Sequence, residues 1–229
     1  MEKDRSEKSI EVNKEPQGKH IAAIKGGIEI RQDKHITTSK GALEIRHRGK
    51  PINVEMPGTG SVYLAVDCSG SMEGQKLQQA KRGAIDFAKE ARKKGYATGL
   101  ICFDTEAVHL CDPQQDVSAL QRQLEPVAVG GSTNMTHAIQ LAMEKLRSRQ
   151  GIRVLVVVTD GMPDKPQRAL GAADRAKKEG IDIIAVGTDD ADQEFLERLA
   201  SRSGLATVVQ REQLSAGIVS TAQMLPRGE

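Results

Sequence analysis

The sequence predicts a doubly wound α/β domain. A six-stranded, mostly parallel, Rossmann-like sheet carries helices on both faces, and a small β-extension precedes it. Three observations predict this. From 61 to 225, apolar runs of strand length alternate with amphipathic stretches of helix length. Two of those runs, 62–67 and 152–159, are apolar at consecutive positions, as in strands buried on both faces. Each is closed by an aspartate, Asp67 and Asp160. Parallel sheets bind ligands beyond the carboxyl ends of strands, where the winding reverses.

The first sixty residues read differently. Residues 1–20 hold five acids and five bases with almost nothing to bury, so a disordered or loosely attached tail is expected. From 21 to 60 the chain reads as a small β-rich extension. Segment 25–31 is echoed fifteen residues later by 40–46, and Ile28, Ile30, Leu43 and Ile45 alternate with charged neighbours. That alternation predicts two amphipathic strands, paired as a small ribbon and covering a sheet edge. A lone hairpin is marginal in water, so the ribbon needs support.

The main domain, 61–229, follows in order. Residues 62–67 form the first strand, and 75–93 a helix with Leu77, Ala80, Ala84, Ala88 and Ala91 on one face. Arg92, Lys93 and Lys94 before Gly95 give that helix a cationic last turn and a stop. Residues 97–103 form a second strand, and 106–111 a third, antiparallel to it at the sheet edge. Helices are expected at 116–124 and 134–148, then the buried strand 152–159. Helix 166–179 starts on Pro166 and stops at Gly180. Strand 181–187, helix 191–200, strand 207–210 and helix 211–224 complete the pattern. Asp164 is expected to cap helix 166–179, and Asp190 or Asp192 helix 191–200. Arg168, Arg175 and Lys177 read as a solvated helix face.

Composition excludes several functions. Net charge is +2, and the five aromatic residues form no base-stacking set, so nucleic acid is not an expected partner. Cys68, Cys102 and Cys111 are odd in number and make no CxxC, which argues against a disulfide framework or a zinc site. No run of eighteen apolar residues occurs, so no membrane span is expected. The first twenty residues lack an apolar core, which reads as no export signal and a cytoplasmic location.

One constellation carries chemistry. Asp67, Ser69 and Ser71 alternate after the first main strand, Thr133 follows Gly130-Gly131-Ser132, and Asp160 precedes Gly161. Taken singly these are ordinary: an aspartate after a strand makes a turn, and Thr133 would by default cap the next helix. Together they supply two carboxylates and three hydroxyls, an all-oxygen set for a hard divalent cation. Magnesium fits best, because it tolerates few protein ligands and keeps water. Manganese can substitute, whereas calcium prefers more carboxylates. Two carboxylates only neutralise a dication, and five groups leave a position open to solvent. A carboxylate from a partner protein can take that position.

Catalysis has no comparable support. His20, His35, His47, His109 and His137 show no ligand or triad spacing, and His137 reads as a surface or cap-adjacent residue. The DxSxS motif lacks the second aspartate of aspartate-nucleophile phosphatases. Neither GxxxxGK[ST] nor GxSxG occurs. No catalytic residue is assigned and the chain is not expected to be an enzyme; the alternative is a Mg²⁺-dependent phosphoester hydrolase.

These residues carry a resemblance. DxSxS after the first main strand, Thr133 after a Gly-Gly turn and Asp160-Gly161 resemble the metal-ion-dependent adhesion site of von Willebrand factor type A domains. The likeness covers about three quarters of the chain and leaves out the first sixty residues. It implies that Ser69, Ser71 and Thr133 coordinate the ion through hydroxyls, and that Asp67 and Asp160 act directly or through water. It further implies an interaction module rather than an enzyme. Intracellular proteins of this kind are similar to chelatase subunits and to helpers of AAA+ ATPases or chaperones, so an adaptor in a larger assembly is expected.

Overall fold

The computed structural model describes residues 60–226 throughout, and ahead of them six short strands by their backbone pairing. The chain divides into two compact units, Met1–Pro57 and Gly58–Glu229. In the first, β1 (Asn13–Lys14), β2 (His20–Ile24) and β3 (Ile28–Ile30) make one antiparallel sheet. A second is made by β4 (Lys34–Ser39), β5 (Ala42–His47) and β6 (Lys50–Val54).

The two strands predicted at 25–31 and 40–46 are therefore present as β3 and β5, but they do not pair. β3 lies against β2, and β5 lies between β4 and β6. Antiparallel neighbours form most readily through short connections, and each strand has a closer partner in sequence. Ser39 opposes Ala42 with two residues between them. The looseness expected of 1–20 falls mostly outside the described residues; Asn13 and Lys14 pair with Ile21 and His20.

The second unit alternates strand and helix: β7 (Gly60–Asp67), α1 (Gln75–Lys93), β8 (Tyr96–Phe103), β9 (Ala107–Gln114), α2 (Val117–Leu124), α3 (Met135–Arg147) and β10 (Ile152–Thr159). Then come α4 (Pro166–Lys178), β11 (Ile181–Thr188), α5 (Gln193–Leu199), β12 (Ala206–Val209) and α6 (Leu214–Met224). The sheet order is β12-β11-β10-β7-β8-β9, with β9 antiparallel to β8 and the other pairings parallel. From β7 the chain builds outward through β8 and β9. It then crosses back to β10 and builds the other way. The winding thus reverses between β7 and β10.

All eight residues of β7 are buried, which explains its unbroken apolar character. Val62, Leu64 and Val66 face α1, α2 and α6, while Tyr63 and Ala65 face α3, α4 and α5. Two cores sandwich the sheet. In the first, α1 presents mostly small residues, which lets α6 approach closely. A Cβ placed on Gly83 would lie 2.9 Å from the Ser215 backbone and 3.0 Å from Ile218. Gly83→Ala gains about 1 kcal/mol of helix propensity but overpacks that contact by about 1–3 kcal/mol. A net loss of ~1 kcal/mol is expected, read as a lower urea midpoint at unchanged m-value.

Candidate metal centre

Register builds the site. β7 and β10 are parallel neighbours with Val66 opposite Val158, so Asp67 and Thr159 leave the sheet side by side and Asp160 follows at once. Past β7, the Cys68 N–H donates to the Phe103 carbonyl at 2.7 Å. The chain then turns through a short 3-10 segment, Gly70–Met72, pinned by the fully buried Met72. That turn folds the serines back over the strand end. The Ser69 N–H donates to Asp67 Oδ1 at 2.9 Å, and the Ser69 and Ser71 hydroxyls lie 3.1 Å apart. Ser71 Oγ donates to Asp160 Oδ1 at 2.8 Å, and Thr159 Oγ1 to Asp67 Oδ2 at 2.7 Å. Four of the five sequence-selected residues are thus linked in one crevice.

Thr133 arrives on a separate loop. Gly130 N–H donates to the Cys68 carbonyl at 2.7 Å, and Gly70 N–H to the Gly131 carbonyl at 3.2 Å. Glycine at 130 and 131 leaves room for neighbouring side chains: a Cβ at 130 would displace the Asp104 carboxylate and one at 131 the Thr105 hydroxyl. Thr133 itself is clasped by Asp164: its N–H donates to Asp164 Oδ1 and its carbonyl accepts from Asp164 N–H, both at 3.1 Å. This clasp ties the Thr133 loop to the loop that follows Asp160. The hydroxyl of Thr133 is not hydrogen-bonded to the other four residues.

Two capping expectations change here. Asn134, not Thr133, caps α3 by accepting from the His137 N–H at 3.3 Å, so the Thr133 hydroxyl is not used as a cap. Asp164 does not cap α4: Lys165 occupies the cap position without a side-chain bond, and Pro166 removes one donor that would need capping. Hydrogen bonds from Ser132 and the Thr133 N–H instead hold the Asp164 carboxyl below the usual range. Asp192 caps α5 as expected, accepting from the Phe195 N–H at 2.8 Å.

The electrostatics are unbalanced. Asp67 is fully buried and Asp160 is 2% exposed. Burial pushes the Asp67 carboxyl up to about 6, with the charge of Asp160 adding to it and hydrogen bonds from Thr159 and Ser69 opposing it. The ammonium in contact is that of Lys76, 2.7 Å from Asp160 Oδ2 and 2.9 Å from Asp190 Oδ2. Of the two adjoining carboxylates only Asp160 is paired with the ammonium, and the remaining donors are neutral hydroxyls. That donor chemistry fits a hard divalent ion. Among the described residues no group of three or more His, Cys, Asp and Glu could hold a metal, so neither a zinc-type cluster nor a carboxylate cage competes.

Sequence reasoning missed Thr159 and Lys76, and offered Asp190 only as a possible helix cap, a place Asp192 takes. Thr159 reads only as the last strand residue; its role follows from standing beside Asp67 in the sheet. Lys76 reaches Asp160 across 84 residues and Asp190 across 114, contacts with no local signal. His137 is committed elsewhere, its Nδ1 accepting the Ala107 N–H at 3.0 Å.

The comparisons bear on family and fold. The family model for the von Willebrand factor type A domain matches residues 61–220. The magnesium-chelatase 67 kDa subunit of Chlorobaculum parvum is 28% identical over 165 residues, 69% of this chain and 25% of that subunit. Bovine matrilin-1 is 34% identical over 89 residues, covering 35% of this chain and 16% of matrilin. The chain thus spans about a quarter or less of the length of these curated relatives. Among solved structures, the vWF domain of the type V pili tip protein Mfa5 from Porphyromonas gingivalis superposes with a TM-score of 0.67 at 14% identity, over 76% of this chain and 98% of that one. Proximal thread matrix protein 1 from the mussel byssus, with a zinc-occupied MIDAS motif, gives 0.63 at 17% identity, over 73% of this chain and 46% of that one. These structures share the fold, a mostly parallel sheet flanked by helices. From Ser61 onward the chain belongs to the von Willebrand factor type A domain family, whose fold serves metal-dependent protein interaction.

Proposed function

We propose that the domain is a metal-dependent protein-binding module in which Asp67, Ser69, Ser71, Thr133 and Asp160 hold Mg²⁺ and an Asp or Glu of a partner protein completes the site. The observation that carries this is the pair of buried, adjoining carboxylates at the β7 and β10 ends, both served by hydroxyls and only Asp160 by an ammonium. A bound dication supplies an electrophilic open position in a partly desolvated crevice, where a carboxylate gains a charge-assisted bond. Magnesium is preferred on ligand number, with manganese as a substitute.

The rim supports an acidic partner. Beside the Thr133 loop, α3 and α4 flank an open cleft of about 500 Å³ lined by Lys165, Arg168 and Arg175. The N-termini of both helices lie at its upper end, where they favour negative charge. Similarity to chelatase subunits supports placing the module in a larger assembly, as adaptor to an AAA+ ATPase, chaperone or chelatase-like machine. The phosphoester hydrolase alternative finds less support. Among the described residues, His109 bonds to Tyr63 and His137 to the Ala107 N–H, and no histidine is hydrogen-bonded to Asp67 or Asp160.

The test is affinity capture from native lysate with Mg²⁺ or with EDTA, beside Asp67→Ala. A partner held only by the unaltered protein with Mg²⁺ is the expected result. Partners indifferent to both metal and substitution would move the function away from this crevice.

A further inference from the structure

Lys76 stands where helix electrostatics disfavour it. It is the second residue of α1, whose first turn contains no acid and whose cap residue, Gly74, offers no side-chain bond. A cation there adds to the positive end of the helix dipole. The side chain is nonetheless held inward, 14% exposed, against Asp160 at 2.7 Å and Asp190 at 2.9 Å. Asp160 has both oxygens engaged, Oδ1 by Ser71 and Oδ2 by Lys76. Asp190 is more open, with a side chain 46% exposed, and is shared with Arg211 at 3.2 Å.

We infer that Lys76 is a tethered counter-ion that competes with the divalent cation for Asp160, setting the metal affinity of the site, and that Asp190 is the alternative seat for its ammonium when a metal ion is present. This inference rests on the metal-site reading above and deepens it by naming the residue that tunes occupancy.

The physics is direct. A positive charge a few ångströms from a dication repels it, and the repulsion is weakly screened where water is excluded. Without a metal ion the ammonium neutralises Asp160. With one, Lys76 leaves the crevice more positive than two carboxylates alone would. Occupancy is then weak until a further anion enters, so metal and partner carboxylate load together. Asp190 makes the exchange feasible, because Lys76 can release Asp160 without losing every partner. A lysine serving only to brace the fold would have no such opposing effects on metal affinity.

The test is Mn²⁺ binding to the full chain, followed by the electron paramagnetic resonance signal of free Mn²⁺, at fixed pH and ionic strength. Lys76→Gln is expected to bind Mn²⁺ about tenfold more tightly than the unaltered protein, and Lys76→Arg to stay close to it. Asp190→Asn is expected to weaken binding about threefold, because the ammonium then has Asp160 as its one carboxylate partner. Circular dichroism in EDTA checks that each variant is folded. Lys76→Gln binding no tighter than the unaltered protein, or Asp190→Asn binding more tightly, overturns the inference while leaving the metal site standing. Equal binding by the unaltered protein and Asp67→Ala instead overturns the metal site itself. If Lys76→Gln fails to fold, the direction of the Asp190→Asn change decides alone.

Discussion

Asp67→Asn is expected to lose the response to divalent cations yet to melt at a higher temperature than the unaltered domain in EDTA at pH 7.5. Burial raises the Asp67 carboxyl from 3.8 to about 6. A raised acid binds its proton more tightly folded than unfolded, so the folded state is penalised once that proton leaves. Below about pH 4 both states are protonated and the penalty is absent. It grows between about pH 4 and 6, then holds near 3 kcal/mol above that. Asp112, Asp164, Asp190 and Glu179 are shifted the opposite way, and their contributions fade only at more acid pH. Asparagine keeps an acceptor for the Ser69 N–H, and Thr159 retains the Gly161 carbonyl as an acceptor for its hydroxyl, so part of that penalty is recovered. A gain of roughly 1–3 kcal/mol corresponds to several degrees for a domain of this size. Thermal melts at pH 5 and 7.5, with EDTA or Mg²⁺, read every arm. Magnesium should stabilise the unaltered protein more at pH 7.5 than at pH 5, since the ion requires the deprotonated carboxylate. A destabilised Asp67→Asn in EDTA would mean the ionised acid is a structural asset.

Phe87→Ala is expected to be the most damaging single truncation in the domain. The chain has three phenylalanines, two tyrosines and no tryptophan, so few side chains carry large core volume. On α1 the other buried positions are Leu77, Ala80, Gly83, Ala84, Ala88 and Ala91. Neighbours this small cannot reach into the hole left by a fully buried ring. The loss should be about 3–5 kcal/mol, a large part of the 5–15 kcal/mol typical of a domain. Urea unfolding followed by circular dichroism measures it; a loss below ~1 kcal/mol would show that α1 and α6 collapse onto the vacancy. Close approach of the two helices at Gly83 argues that little room for collapse remains.

The strand and helix pattern of the main domain was legible because its periodicities are strong and its punctuation local. Pro166 and Gly180 bracket α4, and Gly95 follows α1. The candidate site could be proposed from its residue types, since DxSxS, Thr133 and Asp160-Gly161 each sit at the end of an element. What sequence could not supply was pairing. Neighbouring strands in a parallel sheet are joined by long crossovers, so the placement of Asp67 beside Thr159 is a property of the fold and not of either segment. The same limit hid Lys76, whose nearest sequence context is a helix start and whose role comes from Asp160. It also misassigned Asp164, because a side chain one residue before a helix cap is free to turn toward another loop. In the N-terminal segment, β3 and β5 were legible and their partners were not, for alternation marks a strand without naming its neighbour.

Separation along the chain also sets a timetable. The bonds that close the crevice join residues 92, 89 and 84 positions apart. They form only after β10 has docked on β7, a long-range closure that comes late in folding. An ion that recognises the finished crevice therefore retards unfolding without hastening folding. During synthesis at roughly 5–20 residues per second, Asp67 leaves the peptidyl-transfer centre some 5–20 s before Thr159 is added. For that interval the nascent chain displays half a motif, and a crevice fit for the proposed ion exists only at the end of folding.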